Sequence, residues 1–194
     1  DDQKSLRRDI LLYNKDILNL RKKLSDDLNQ VKDIDEDVLK NYFVDLYEKG
    51  EYNKALNVAQ RTYDIALNNF GLDDVNTADT LLKLGIINKT LGNLYLAEDH
   101  LLESLVILEE QLSPDHTDIA VTATNIGNSY FDMQLFKDSE KYHQMALRIR
   151  QNAFGNTNPV VAQSTYNLAV LYESEKKYSK AESLYKQAIN LWSK

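Results

Sequence analysis

The chain has 194 residues, of which 43% are hydrophobic and 27% are charged, as in an ordinary globular protein. Its formal net charge of −7 argues against binding to nucleic acid or to an anionic membrane, because both partners select a basic protein surface. The sequence contains no cysteine, which excludes disulfides, thiolate metal ligands and thiol catalysis and fits a reducing, cytoplasmic location.

Residues 1–33 are predicted to form one long helix. Its apolar side chains follow alternating four- and three-residue steps, with Asp27 as the one polar interruption: Leu6, Ile10, Tyr13, Ile17, Leu20, Leu24 and Val31. This spacing is typical of the seam of a coiled coil, which would make the protein a homodimer. Three further leucines, Leu11, Leu12 and Leu18, widen the stripe and favour a helix that instead caps the first element after it. Both interpretations stay open.

From residue 34 onward the chain repeats itself every 42 residues without gaps. The aligned segments are YEKGEYNKALNVA, KTLGNLYLAEDHL, FDMQLFKDSEKYH and ESEKKYSKAESLY, which begin at Tyr47, Lys89, Phe131 and Glu173. The sequence therefore predicts a repeat domain over 34–194, with repeats at about 34–70, 71–112, 113–154 and 155–194.

Each repeat is predicted to contain two helices. Apolar and small residues recur at three- and four-residue spacing on both sides of a short polar break such as SEKKY. The segments FGLDD, LSPDHTD and FGNTNP between repeats carry Gly, Pro, Asp and Asn, which suit helix caps. One helix pair cannot bury its own apolar stripe, so the pairs are expected to stack.

Small residues recur at one position of the first helix in three of the four repeats. This column contains Phe43, Gly85, Gly127 and Ala169. Glycine costs about 1 kcal/mol relative to alanine inside a helix, so a requirement beyond local propensity must favour it. We expect close helix contacts at this column, with each member facing a small residue such as Ala97, Ser139 or Ala181.

The last repeat resembles the tetratricopeptide repeat. The matching positions are Leu168, Ala169 and Tyr172 on the first helix and Ala181, Tyr185 and Ala188 on the second. The 42-residue length resembles the repeats of kinesin light chains, although no linker here has their adjacent His–Pro pair. The resemblance implies an all-α fold, a right-handed superhelical solenoid of four tetratricopeptide-like helix pairs preceded by one long N-terminal helix.

The sequence shows no catalytic or cofactor motif. Its histidines, His100, His116 and His143, have no metal-ligand spacing, and no Gly-rich phosphate loop or nucleophile elbow is present. We therefore expect no enzyme activity, no cofactor, no metal site and no membrane insertion.

A column of polar residues lies two positions before the small column and is expected to project into the concave groove of the solenoid. It consists of Asn41, Lys83, Asn125 and Asn167. The same helical geometry adds further candidates for a peptide-binding groove: Lys40, Tyr47, Lys89, Thr124, Asn128, Phe131, Tyr166 and Glu173. Lys40, Lys83 and Lys89 are expected to make the N-terminal half of the groove basic.

These features predict an adaptor or scaffold that binds a linear peptide segment of a partner protein. The resemblance to kinesin light chains implies cargo recognition and a peptide of acidic or mixed character. The alternative is a structural assembly protein that oligomerises through its N-terminal helix and the exposed ends of its repeats.

Overall fold

The computed structural model describes residues 36–193, and the predicted N-terminal helix over 1–33 lies outside them. The described residues form eight α-helices and contain no strand. The helices are α1 (Glu36–Glu48), α2 (Tyr52–Phe70), α3 (Val75–Thr90), α4 (Leu94–Gln111), α5 (Thr117–Asp132), α6 (Phe136–Phe154), α7 (Pro159–Ser174) and α8 (Tyr178–Trp192).

The helices stack in chain order as four pairs. Within the repeats α3 packs on α4, α5 on α6 and α7 on α8, and successive repeats meet where α2 packs on α3, α4 on α5 and α6 on α7. The first pair joins this stack because Phe43 and Leu46 of α1 share a buried cluster with Ala55 of α2 and Leu84 of α3. The predicted all-α solenoid of helix pairs is thus confirmed.

The turn inside each repeat has the same hydrogen bonds every time. In the third repeat the N–H of Leu135 donates to the carbonyl of Tyr130 at 2.8 Å, and the N–H of Gln134 donates to that of Phe131 at 2.9 Å. This is the Schellman pattern, which places one residue in the left-handed region. The left-handed residues are Gly50, Gly92, Gln134 and Lys176, with φ of 74°, 82°, 61° and 61°.

The loops between repeats end in side-chain caps, as predicted. Asp74 accepts the N–H of Asn76 at 2.8 Å, and Asn158 accepts that of Val160 at 3.0 Å. At the equivalent position His116 caps α5 through its Nδ1.

Large side chains pack against the glycines of the small column, which differs from the expected contacts between small residues. A Cβ built on Gly85 would lie 2.6 Å from Leu101 Cδ2, and one on Gly127 would lie 2.8 Å from His143 Cε1. Ala97 does approach Gly85, but through its carbonyl oxygen, 3.3 Å from the built Cβ. The glycines are therefore required because a bulky side chain of the second helix occupies the space of their missing side chain.

Two tyrosines tie successive repeats together. The hydroxyl of Tyr130 on α5 donates to Glu98 on α4 at 2.6 Å, and that of Tyr172 on α7 donates to Glu140 on α6 at 2.5 Å. Burial, followed by the hydrogen-bonded carboxylate, raises the pKa of Tyr172 to about 12 and also raises the pKa of Tyr130. Both pairs recur at the 42-residue period, so they are a repeated feature of the interface between repeats.

Candidate peptide-binding groove

The candidate groove residues lie on the first helices of the repeats, α1, α3, α5 and α7. Of the predicted polar column, Asn41 is exposed and Lys83, Asn125 and Asn167 are half-buried. Contacts between neighbouring first helices show which of the other candidates are brought together.

A carboxylate that the sequence reasoning missed joins two of the lysines. Asp79 on α3 accepts Lys83 Nζ at 2.5 Å, and its Oδ2 also lies 3.7 Å from Lys40 Nζ on α1. Asp79 and Lys83 are four residues apart on one helix, a spacing that predicts an ion pair and could have revealed this contact. Lys40 and Lys83 thus converge on one carboxylate at the junction of the first two repeats.

The third lysine is paired as well. Lys89 Nζ on α3 lies 3.5 Å from Asp132 Oδ2 on α5. The basic character expected of the N-terminal half is therefore reduced at these three lysines, because each ammonium group has an aspartate within 4 Å and Lys40 and Lys83 share one of them. The aspartates oppose the lysine charge, and the local surface is one of mixed charge.

The polar candidates of the later repeats make hydrogen bonds within their own helices. Asn125 Nδ2 donates to the carbonyl of Val121 at 3.0 Å, and Thr124 Oγ1 donates to that of Ala120 at 2.8 Å. Asn167 Oδ1 accepts from Gln163 Nε2 at 3.0 Å. Since a carboxamide has two N–H groups and two acceptor lone pairs, both asparagines keep capacity for further bonds. Asn128 is half-buried on the same helix as Asn125.

Of the aromatic candidates on α1 and α5, one contacts the neighbouring first helix and the other packs within its own repeat. Tyr47 on α1 shares a hydrogen bond of 2.9 Å with Thr90 on α3, so it joins neighbouring first helices. Phe131 instead packs on Phe136 of its own repeat, with ring centroids 5.9 Å apart.

The two candidates on α7 both contact α8. Tyr166 lies 5.6 Å from the ring of Tyr185 and 5.7 Å from that of Trp192. Glu173 accepts the hydroxyl of Tyr185 at 2.6 Å. Burial is the first cause, and Glu173 the second, of the rise in the pKa of Tyr185 to about 12.

A cleft of about 250 Å³ opens between α3 and α5 and contacts one residue of α4. It is lined by Val75, Asp79, Leu82, Leu108, Asp118 and Val121. Val121 is 39% exposed and gives the cleft an apolar wall open to solvent. The sequence reasoning missed this cleft, because it forms only where two repeats meet.

Other kinds of site were sought over residues 36–193. Within that range no group of three or more His, Asp or Glu side chains could hold a metal ion. Among the same residues, no helix is both long enough and apolar enough to cross a membrane.

Comparison with known proteins finds one matching family model and several relatives that match part of their own length. Residues 118–194 match the family model described as Tetratricopeptide repeat. The Protein KINESIN LIGHT CHAIN-RELATED 1 of Arabidopsis thaliana is 25% identical over 155 residues, which cover 79% of this chain and 25% of that protein. Nephrocystin-3 of Xenopus laevis is 38% identical over 72 residues, which cover 37% of this chain and 6% of that protein. The chain thus spans a quarter or less of the length of these curated relatives.

Solved structures show the same fold. BtubC (BKLC) from P. vanneervenii superposes with a TM-score of 0.71 at 24% identity, covering 83% of this chain and 66% of that one. The kinesin light chain-like protein of Podosopora anserina, with nearly identical TPR-like repeats, gives 0.69 at 13% identity, covering 81% and 73%. The chain thus resembles tetratricopeptide repeat proteins of the kinesin light chain type, and the family model matches its residues 118–194.

Proposed function

We propose that this chain is a protein-interaction adaptor or scaffold whose first helices, α1, α3, α5 and α7, form a groove that binds an extended peptide segment of a partner protein. The observation that supports this most is the pair of ionic contacts between successive first helices, Lys40 with Asp79 and Lys89 with Asp132. They set polar groups of neighbouring repeats side by side on one face. Cargo recognition in the manner of kinesin light chains, in the cytoplasm, is the form of this function that the sequence resemblance favours.

Asn125 and Asn167 are proposed to bind the backbone of the peptide. A carboxamide donates and accepts at once, as a peptide group does, so the pair can bind an extended chain whatever its side chains. Each such hydrogen bond would contribute about 0.5–1.5 kcal/mol net. Because the two residues lie on successive first helices, one extended segment would contact them in turn.

The aspartates beside these lysines restrict the charge of the peptides that the groove could bind. A purely acidic segment would be repelled by Asp79 and Asp132, although it could attract Lys40, Lys83 and Lys89. We therefore propose a peptide of mixed character, with an acidic side chain near the lysines. An apolar side chain of the same peptide would enter the cleft beside Leu82 and Val121, whose exposed apolar surface it would bury.

A capture experiment tests the groove. The chain and its Asn125→Asp/Asn167→Asp variant are each used to capture proteins from a lysate, after circular dichroism has shown that both are folded. The matched control is Asn57→Asp/Asn68→Asp, which makes the same charge change at two exposed asparagines of α2. A partner of the groove is retained by the wild type and the control and lost from the groove variant.

The captured partner is then cut to its binding segment, and a synthetic peptide of that segment is titrated into the three proteins. We expect the groove variant to bind at least about tenfold more weakly, because two hydrogen bonds are replaced by carboxylates that lack a donor. Equal affinities of all three proteins would refute the groove.

A further inference from the structure

The second helix of the second repeat, α4, carries a row of apolar side chains outside the candidate groove. Tyr95, Leu102 and Val106 follow one another at i, i+7 and i+11, so they share one face of the helix. They are called here the outer ridge of α4. Tyr95 is 80% exposed and Val106 is 54% exposed, while Leu102 is half-buried. Leu96, next to Tyr95 in the chain, is exposed as well.

The other repeats show that the fold does not require this row. At the three equivalent positions the first, third and fourth repeats have polar residues throughout. These are Asn53, Gln60 and Asp64 of α2, Lys137, Gln144 and Arg148 of α6, and Ser179, Lys186 and Asn190 of α8. Single exposed apolar residues are ordinary on a protein surface, but a row that three equivalent helices lack indicates a binding surface.

The stacking of repeats does not cover the ridge. α4 packs on α3 of its own repeat and on α5 of the next one. Leu101, Leu105 and Leu108 are buried in these contacts, in one cluster with side chains of α3 and α5. The second repeat thus has a neighbour on each side. A further repeat at either end of the array would stack beyond α1 or α8 and would leave the ridge exposed.

The same helix is acidic. It contains no lysine or arginine, whereas α2, α6 and α8 each contain at least two. Its exposed carboxylates belong to Asp99, Glu103, Glu109 and Glu110. Within residues 36–193 none of these four forms an ion pair. Carboxylates beside apolar side chains are complementary to lysine and arginine, whose apolar stems pack on the surface while their charges pair.

A cleft of about 210 Å³ extends this surface past Val106. It is lined by Glu109, Pro114, Ile119, Met145 and Arg148. Glu109 lies about one helical turn after Val106, so a segment that follows the ridge would reach the cleft. Pro114 and Met145 give it apolar walls that can receive one more side chain of the bound segment.

We propose that the outer ridge of α4 binds an amphipathic helix of a partner protein, one that presents lysine or arginine beside its apolar residues. The apolar side chains would pack on Tyr95, Leu102 and Val106, and the cationic ones would pair with Asp99 and Glu103. A helix fits because the ridge runs along a single helix, on which a second helix can pack. The site is separate from the groove, so the two can be occupied together. The sign of its charge excludes nucleic acid and anionic membranes.

The probe that tests this surface is a synthetic helix of 18 residues, the length of α4. It has leucine along one face and lysine along the other and carries a fluorescent label. It is titrated with the full chain while its fluorescence anisotropy is followed. We expect saturable binding with a Kd below about 1 mM. A matched peptide with glutamate in place of every lysine should not bind.

The apolar part of the site is tested by Tyr95→Ser/Val106→Asn, which gives α4 the residues that α8 has at these positions. Both side chains are exposed, so the variant is expected to fold, which circular dichroism verifies. It should bind the lysine peptide at least about tenfold more weakly, because the apolar area that the peptide buries is lost.

The charged part is tested by Asp99→Asn/Glu103→Gln, which should weaken binding about fivefold. Glu48→Gln/Asp64→Asn makes the same charge change at exposed residues of α1 and α2 and should leave the affinity unchanged. Raising the ionic strength from about 0.1 M to about 1 M should weaken the wild type more than Asp99→Asn/Glu103→Gln. No saturable binding, or equal affinities of the wild type and both α4 variants, would overturn the proposal.

A photo-reactive p-benzoylphenylalanine in place of Tyr95 then identifies the natural occupant in cells that express the protein. We expect it to become bonded to a segment of another protein in which lysine or arginine flanks apolar residues at helical spacing. A synthetic peptide of that segment should show the same loss of affinity with the two α4 variants. Attachment only to the same polypeptide or to a second copy, or to a segment without lysine and arginine, would refute the proposed partner.

Discussion

Gly127 on α5 lies directly against the imidazole ring of His143 on α6. A Cβ at position 127 would be 2.8 Å from Cε1 and 2.9 Å from Nδ1 of that ring. His143 is only 2% exposed, so surrounding side chains prevent the ring from moving aside. The glycine in the middle of this helix is therefore explained by one contact across the repeat.

Gly127→Ala should destabilise the protein, although alanine is the better helix former. The clash with the buried ring is expected to lower the free energy of unfolding by about 1–3 kcal/mol, as overpacking typically does. Urea denaturation followed by circular dichroism measures the loss.

The His143→Ala background is the control for Gly127→Ala. With the ring removed, Gly127→Ala should be neutral or should stabilise by up to about 1 kcal/mol through helix propensity. A cost that is the same in both backgrounds would show that the two residues are not coupled and that the contact does not explain the glycine.

The stability of the protein should depend on the protonation of His143. Burial, and then the positive charge of Arg150, lowers the pKa of His143 from 6.5 to about 4. Because the folded-state pKa lies below the unfolded value, the unfolded chain binds the proton first as the pH falls. The stabilisation is complete above about pH 6.5 and is lost between there and about pH 4, which amounts to roughly 2 kcal/mol on going from pH 7 to pH 5.

His143→Leu isolates this effect, since Leu101 already packs on Gly85 in the same way one repeat earlier. Carboxylates titrate alike in both proteins, so the difference between their urea unfolding curves at the two pH values reports the histidine alone. We expect the variant to lose less stability than the wild type by the amount given above. Parallel pH dependences would mean that His143 has the same pKa in the folded and the unfolded protein.

Local patterns in the sequence predicted much of this fold, and contacts across helices decided the rest. The helix pairs and their caps follow from spacing within one repeat and are confirmed, whereas the glycines of the small column meet large side chains instead of the small residues that were expected. The side chain that meets Gly127 could not be predicted, because it depends on how α6 turns relative to α5. The pairing of Lys89 with Asp132 also depends on the approach of two repeats, and it changes the charge expected of the groove.

Gln134→Gly should stabilise the turn between α5 and α6. Gln134 has a φ of 61° at a position where the first two repeats have glycine. A side chain in this left-handed region costs about 1 kcal/mol, and part of the gain from glycine is offset by the greater freedom of the unfolded chain. The net rise in the free energy of unfolding should be about 0.5–1 kcal/mol, measured by urea denaturation. Gly92→Gln is the reciprocal change and should lower stability by a similar amount; a loss on Gln134→Gly would show that its side chain makes a stabilising contact.

Tyr172→Phe should weaken the interface between the third and fourth repeats. It removes the hydroxyl that donates to Glu140 and leaves the packing of the ring in place. A partly buried hydrogen bond to a carboxylate contributes about 1–2 kcal/mol, and in a repeat array this free energy belongs to the coupling between neighbours. Hydrogen exchange should therefore show faster opening of α7 and α8, with little change in α3 and α4.

The matched control is Tyr185→Phe, which removes a hydroxyl bonded to Glu173 within the fourth repeat. That bond does not cross an interface between repeats. In Tyr185→Phe, the protection of α7 from hydrogen exchange, relative to that of α6, should therefore hardly differ from the wild type. If Tyr172→Phe and Tyr185→Phe alter exchange in the same way, the tyrosine–glutamate pairs do not couple the repeats.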